Sequence, residues 1–135
     1  MNKEFLEEIK KIKYHQKLLV TIAVTEEVNE TLFFQQIINH DLSKYQVDSL
    51  LKIMSLIDRI KDSKLIEDND EDIEYFEDKG FKIEKSLNQN FVLVLEQFCS
   101  YFKIDIEIKH LLLSMKSQYI YIDLCEILLN QIMND

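Results

Sequence analysis

The sequence predicts an all-α fold: an irregular multihelical bundle of five or six helices, in one domain spanning 1–135, that assembles with copies of itself. Three observations carry this expectation. The 135 residues include no proline and a single glycine, Gly80, whereas β architectures built on tight turns need both. Apolar residues recur at steps of three and four, the period of a helix with one buried face. At 47% hydrophobic and 30% charged, the chain can fill a core and is too apolar for global disorder.

The first helix is expected over about 2–24, with Phe5, Ile9, Ile12, Leu19 and Ala23 on one buried face and the lysines largely opposite. A second follows over about 30–40, with Leu32, Phe33, Phe34, Ile37 and Ile38 as its apolar set. The sharpest local signal is Leu42-Ser43-Lys44-Tyr45-Gln46-Val47. Ser43 stands at an N-cap and Gln46 three residues on, a capping box, with Leu42 and Val47 at the staple positions. The third helix runs on to about residue 65, burying Val47, Leu50, Leu51, Met54, Ile57 and Ile60.

An acidic connector at about 67–80 holds eight acids against Lys79 alone. Mutual repulsion predicts sparse packing over its first part, 67–72. Ile73 and Phe76, three apart, can anchor a short helical piece, and Gly80 is placed to end it. Asn90 is read as the cap of a helix over about 91–103, Asp105 as the cap of one over about 106–116, and a last helix spans about 119–133. Asp123, Glu126 and Asn130 form that helix's narrow polar strip. A helix so nearly apolar all round is central to the core or lies in an oligomer interface. Ile120, Leu124, Ile127, Leu128 and Leu129 are therefore the candidate self-association residues.

Charge and motifs narrow the function. A formal charge of −9 repels phosphate backbones, so nucleic acid is a poor partner. Lys10, Lys11, Lys13 and Lys17 read as the solvated face of an amphipathic helix. The longest near-apolar run, Leu18 to Val24, is far short of the roughly 20 residues a membrane span needs. The charged opening Met-Asn-Lys-Glu-Phe-Leu-Glu-Glu lacks the apolar stretch of a signal peptide, and a cytoplasmic location is expected. Cys99 and Cys125 lie in apolar helical runs and read as buried free thiols.

The catalytic patterns fail on inspection. Asp68-Asn69-Asp70-Glu71-Asp72 suggests a calcium loop, but Ile73 and Lys79 occupy the positions that require glycine and a bidentate glutamate. Glu107 and His110 have Glu-x-x-His spacing, yet Ile12 and Ile37 precede the other histidines by three, so a di-iron site lacks its second copy. Cys125 is flanked by Asp123 and Glu126, which disfavour a thiolate. No glycine-rich phosphate loop or zinc spacing is present. The sequence points to no catalytic residue, no metal and no cofactor, and the protein is not expected to be an enzyme.

Several stretches resemble the small uncharacterised all-helical proteins typified by YhaI. They are the helix from Phe33 to His40, the turn Asp41-Leu42-Ser43-Lys44, Ile104-Asp105-Ile106, and Tyr121-Ile122-Asp123-Leu124-Cys125-Glu126-Ile127 with the ending Ile132-Met133. That family tends to carry a glycine before the Leu-Ser turn and another ahead of the last helix; Asp41 and the Ser117-Gln118 region stand there in this chain. The resemblance implies an oligomeric multihelical fold with no assigned activity, found in low-GC Gram-positive bacteria and their phages.

The leading expectation is a noncatalytic regulatory or adaptor module that binds a protein partner, a phage- or prophage-borne factor acting on a host regulatory protein. Its candidate partner-binding residues are Asp70, Glu71, Asp72, Tyr75 and Phe76, where acidic charge meets aromatic surface. A purely structural homo-oligomer and a metal-dependent enzyme stand as alternatives.

Overall fold

The computed structural model describes residues 2–62, 70–83 and 90–133. Among them the chain forms seven α-helices and no strand: α1 (Lys3–Val24), α2 (Leu32–Asn39), α3 (Lys44–Lys61), α4 (Glu71–Asp78), α5 (Phe91–Tyr101), α6 (Ile108–Ser117) and α7 (Ile122–Met133). The seventh, beyond the five or six expected, is α4, the short helix inside the acidic stretch. No helix of the described residues is long and apolar enough to cross a membrane.

The central helix is α3, with eight buried residues that include Val47, Leu50, Met54, Ile57 and Ile60. Ile53 and Leu56 add a second buried side, because α4 and α5 both pack against it. Its start is the expected capping box. Ser43 Oγ accepts from the Gln46 N–H at 3.2 Å, and Gln46 Oε1 accepts from the Ser43 N–H at 2.8 Å. α6 packs on α7 and α2, and α5 joins the two groups through contacts with α3, α6 and α7.

Four helices end in the same way. Gly80 (φ 81°) closes α4 by a Schellman motif, with Phe81 N–H to Phe76 O and Gly80 N–H to Glu77 O, both 2.9 Å. The same paired bonds follow α2, α5 and α6, but there the left-handed residues are Asp41 (φ 55°), Lys103 (φ 58°) and Tyr119 (φ 63°). The next residue in each case is apolar and turned inward: Leu42, Phe81 and Ile104 are buried and Ile120 half-buried. That inward anchor holds the cap where glycine is missing.

Two glutamines cap helices far away in sequence. Gln118 Oε1 accepts from the Phe33 and Phe34 N–H groups at 3.1 and 3.2 Å, capping α2. Gln46 Nε2 donates to the Phe102 and Lys103 carbonyls at 3.0 and 3.2 Å, finishing α5. These bonds satisfy helix-end groups that have no partner within their own helix.

Several boundaries differ from the sequence reading. A 3-10 turn, Val28–Thr31, replaces the first turn expected of α2. Asp105 does not cap α6. Ile104 and Ile106 are both buried around exposed Asp105, which requires extended chain, and the helix waits for Glu107 as its cap. α7 starts at Ile122, since Tyr119 and Tyr121 (φ 48°) have left-handed backbones. The expected continuation of α3 beyond residue 62 lies outside the described residues.

The largest correction concerns α1. Its expected buried face is not covered by the described residues: Phe5, Ile12, Leu19 and Ala23 are exposed and Ile9 is half-buried. The helix instead seats another side, with Leu18 buried and Tyr14 against the core. On that side the His15 Nε2–H donates to the Leu42 carbonyl at 2.6 Å, and Lys11 pairs with Asp41 at 2.8 Å.

Candidate functional site

The acidic connector is expected to pack sparsely over 67–72, with a short helical piece anchored by Ile73 and Phe76 after it. Residues 67–69 lie outside the described residues, but 70–80 is built into the fold. Asp70 caps α4, its carboxylate accepting from the Asp72 and Ile73 N–H groups at 3.0 and 3.3 Å. The same carboxylate takes both ends of the Arg59 guanidinium, which also reaches Asp72 at 2.6 Å. Burial alone would raise the Asp70 pKa; the Arg59 hydrogen bond and the two backbone N–H groups outweigh it and hold the carboxyl below its usual range. Arg59 is the only arginine in the chain. Its planar fork suits two carboxylates at once, which a lysine could not match.

Aromatic packing fixes the other side of α4. Phe76, wholly buried, meets Phe81, Phe98 and Phe102 edge-on, with centroids 5.9–6.0 Å apart. Such pairs stabilise beyond their buried area by about 0.5–1.5 kcal/mol each. Tyr75 is half-buried and its hydroxyl shares a 2.7 Å hydrogen bond with Ser49, a buried polar residue on α3. The ammonium groups of Lys79 and Lys52 lie 4.6 and 5.0 Å from the Tyr75 ring centroid.

The five candidate partner-binding residues therefore divide. Phe76 is corrected to a core residue, because the aromatic cluster consumes its whole surface. Asp70 and Asp72 are neutralised in part by Arg59. Glu71 is exposed, and Tyr75 lines a groove of about 430 Å³ between α3 and α4, with Asp72, Lys52 and Tyr45 also on its walls. Glu71, Glu74, Glu77 and Asp78 are exposed and have no ion pair among the described residues. Sequence reasoning missed Arg59, Ser49, Lys52 and Lys79. The solitary arginine was a usable signal; the other three are placed by tertiary contact alone.

The candidate self-association residues divide as well. Leu124, Leu128 and Leu129 are buried within the chain and Ile120 is half-buried, so α5 and α6 cover most of the α7 surface that was expected to need a second copy. Ile127 remains 40% exposed. The polar strip Asp123, Glu126 and Asn130 faces outward as expected.

A wider groove lies elsewhere, about 750 Å³ between α1 and the start of α3, lined by Lys10, Lys13, Lys17, Lys44, Tyr14 and Tyr45 among others. No residue lining it is fully buried, so its walls are mainly the stems of solvated side chains. Cys99 and Cys125 are buried and their thiols are pushed up to about 12, by desolvation above all. Thiols so shifted stay protonated at neutral pH and are poor nucleophiles. No group of three or more His, Cys, Asp or Glu side chains among the described residues could hold a metal ion. His110 and Glu107 face one another on the surface at 3.6 Å.

No family model, curated protein or solved structure matches this chain.

Proposed function

We propose that the protein is a noncatalytic protein-binding module, regulatory or adaptor in role, that receives a basic segment of its partner on the outer face of α4. One observation carries this reading: a short helix fixed on two sides, by Arg59 and by Phe76, displays Glu71, Glu74, Glu77 and Asp78 with no ion pair among the described residues. A rigid display lowers the ordering cost of binding, and unpaired charge speeds encounter with an oppositely charged surface. The neighbouring groove at Tyr75 offers a partly apolar seat beside that charge.

The resemblance to YhaI-type proteins belongs to the same proposal, and with it a role on a host regulator. Its support is backbone geometry: Asp41, left-handed at φ 55°, stands where that family tends to carry glycine. A purely structural homo-oligomer is the second reading, favoured by the uncovered apolar residues of α1.

The test is capture from lysate on the immobilised chain and on a variant carrying Glu71→Lys, Glu74→Lys and Glu77→Lys. The proposal expects one stoichiometric partner, rich in basic residues, that is lost with the variant and weakened by salt. A partner retained equally by both proteins, or none, refutes it.

A further inference from the structure

We infer that α1 is a self-association seam on which copies of this chain pack in parallel and in register. The residues left uncovered on α1 are not scattered. Phe5, Ile9, Ile12, Gln16, Leu19 and Ala23 follow alternating steps of four and three, a heptad with d at 5, 12 and 19 and a at 9, 16 and 23. Phe5, Ile12 and Leu19 are 55%, 54% and 50% exposed, and Val20 beside the seam is 64% exposed. Meanwhile Tyr14, Leu18 and Ile22 turn toward the body of the chain. Successive residues turn by about 100°, so Tyr14 and Leu18 lie about 180° and 140° round the helix from the centre of the seam, and Ile22, about 100° away, lies at the border of the two sides. One helix thus has two apolar sides, and the chain's own core uses only one.

The occupant follows from the seam's own pattern. In a parallel pair, position g of one helix meets position e of the other, five residues on. Here g is Glu8 and e is Lys13, opposite charges, and symmetry repeats the pair. Among the described residues, Glu8 is exposed and pairs only with Lys11 at 3.0 Å, while Lys13 has no ion pair. In-register packing also sets Gln16 against Gln16 of the next copy, where the amides can bond each other. An antiparallel arrangement would instead bring Lys13 near its own counterpart and oppose Gln16 with Ile12. Both features favour parallel alignment, a single polar a position being a common device for fixing register.

The available area is adequate. Half-exposed apolar side chains of this size offer on the order of 100 Å² each, so Phe5, Leu6, Ile12, Leu19 and Val20 offer on the order of 500 Å². Flanking lysine and glutamate stems bring this toward the roughly 800 Å² per partner of a stable interface. Isoleucine at both a and d, with apolar Leu6 and Val20 at e, suits three strands as well as two. The helix is already capped by Asn2 and docked through Leu18, so association does not have to nucleate it.

The experiment is the solution mass of the full chain by light scattering at micromolar concentration. Two or three times the 16.2 kDa chain mass is expected. Ile12→Asp and Leu19→Asp should each give the single-chain mass with unchanged circular dichroism, since both side chains are exposed within one chain. Lys13→Glu should weaken association several-fold, and adding Glu8→Lys should restore it. Gln16→Cys should form a covalent dimer under mild oxidation, the native thiols being buried. A native mass of 16.2 kDa, an unchanged mass for Ile12→Asp, a charge swap without rescue, or no cross-link at residue 16 would each overturn the inference. So would a single-chain native protein that sediments with anionic phospholipid vesicles, which would assign the stripe to a membrane surface.

Discussion

Replacing Gly80 by alanine tests how α4 is terminated. At φ 81° an alanine side chain meets the following carbonyl, a cost of about 1–2 kcal/mol. The new methyl group would also stand 2.7 Å from the Tyr101 hydroxyl oxygen. Tyr101 is half-exposed and can swing away, but its hydroxyl donates to the Lys79 carbonyl, and swinging forfeits that bond. A hydrogen bond of this kind contributes about 1 kcal/mol at most. Gly80→Ala is therefore expected to lose about 2–3 kcal/mol, read from denaturant unfolding followed by circular dichroism. In a Tyr101→Phe background only the backbone cost should remain, leaving a coupling of about 1 kcal/mol in the double-mutant cycle. A loss below about 0.5 kcal/mol for Gly80→Ala would refute the left-handed cap. A full loss that persists in the Phe background would show that Tyr101 is not the obstacle.

The other left-handed caps predict the reverse change: Lys103→Gly and Tyr119→Gly should each raise stability by about 1 kcal/mol, provided no side-chain contact is lost, and a drop in midpoint would contradict the assignment. Asp70→Ala should cost about 2 kcal/mol by removing both the α4 cap and the Arg59 pair, whereas Asp70→Asn keeps the cap and should cost less. Because the folded pKa of Asp70 is depressed, its contribution is present above the unfolded value near 4 and fades as pH falls through the lower folded value; Asp70→Asn should flatten that acid limb of a stability-versus-pH curve. The thiols act at the other end. Cys99 and Cys125 are raised from 9.0 to about 12, so each favours the folded state fully below pH 9 and loses about 1.4 kcal/mol per pH unit from there toward 12. Cys99→Ala with Cys125→Ala should reduce that slope, and native thiols should stay silent to an exposed-thiol reagent at pH 8.

What was legible in the sequence was local. Ser43 and Gln46 announce their box because both members lie within one turn, and Asn90 caps α5 through the Leu93 N–H at 3.2 Å for the same reason. Gly80 was readable because glycine is the usual residue at a left-handed cap. Asp41, Lys103 and Tyr119 take the same conformation without the residue type that signals it, so their caps went unread, although the ends of α2 and α6 were placed within a residue and that of α5 about two residues late. Asp105 looked like a cap until burial of Ile104 and Ile106 forced the chain straight. The periodicity of α1 marked an apolar face, but the side that the fold buries is the other one, with Leu18 and Tyr14, because apolar spacing does not say which of two faces meets the core. At the candidate site, the anchoring role of Phe76 was readable from its spacing to Ile73, while its loss to any partner came from Phe81, Phe98 and Phe102, which no local pattern brings together.

The glutamines that finish distant helices bear on how the chain folds. Phe33 and Gln118 are 85 positions apart, and Gln46 and Phe102 are separated by 56. The first turn of α2 has its side-chain cap only after α6 has arrived, and α5 is closed at its end only when α3 has docked. Neither the first three helices nor the last four can complete their own ends in isolation. Loop closure over such spans must come before these bonds reward it, which slows folding relative to bundles whose contacts are all between neighbours. Separately expressed halves should accordingly remain partly molten until mixed, and the intact chain should lose α2, α3, α5 and α6 in a single cooperative transition.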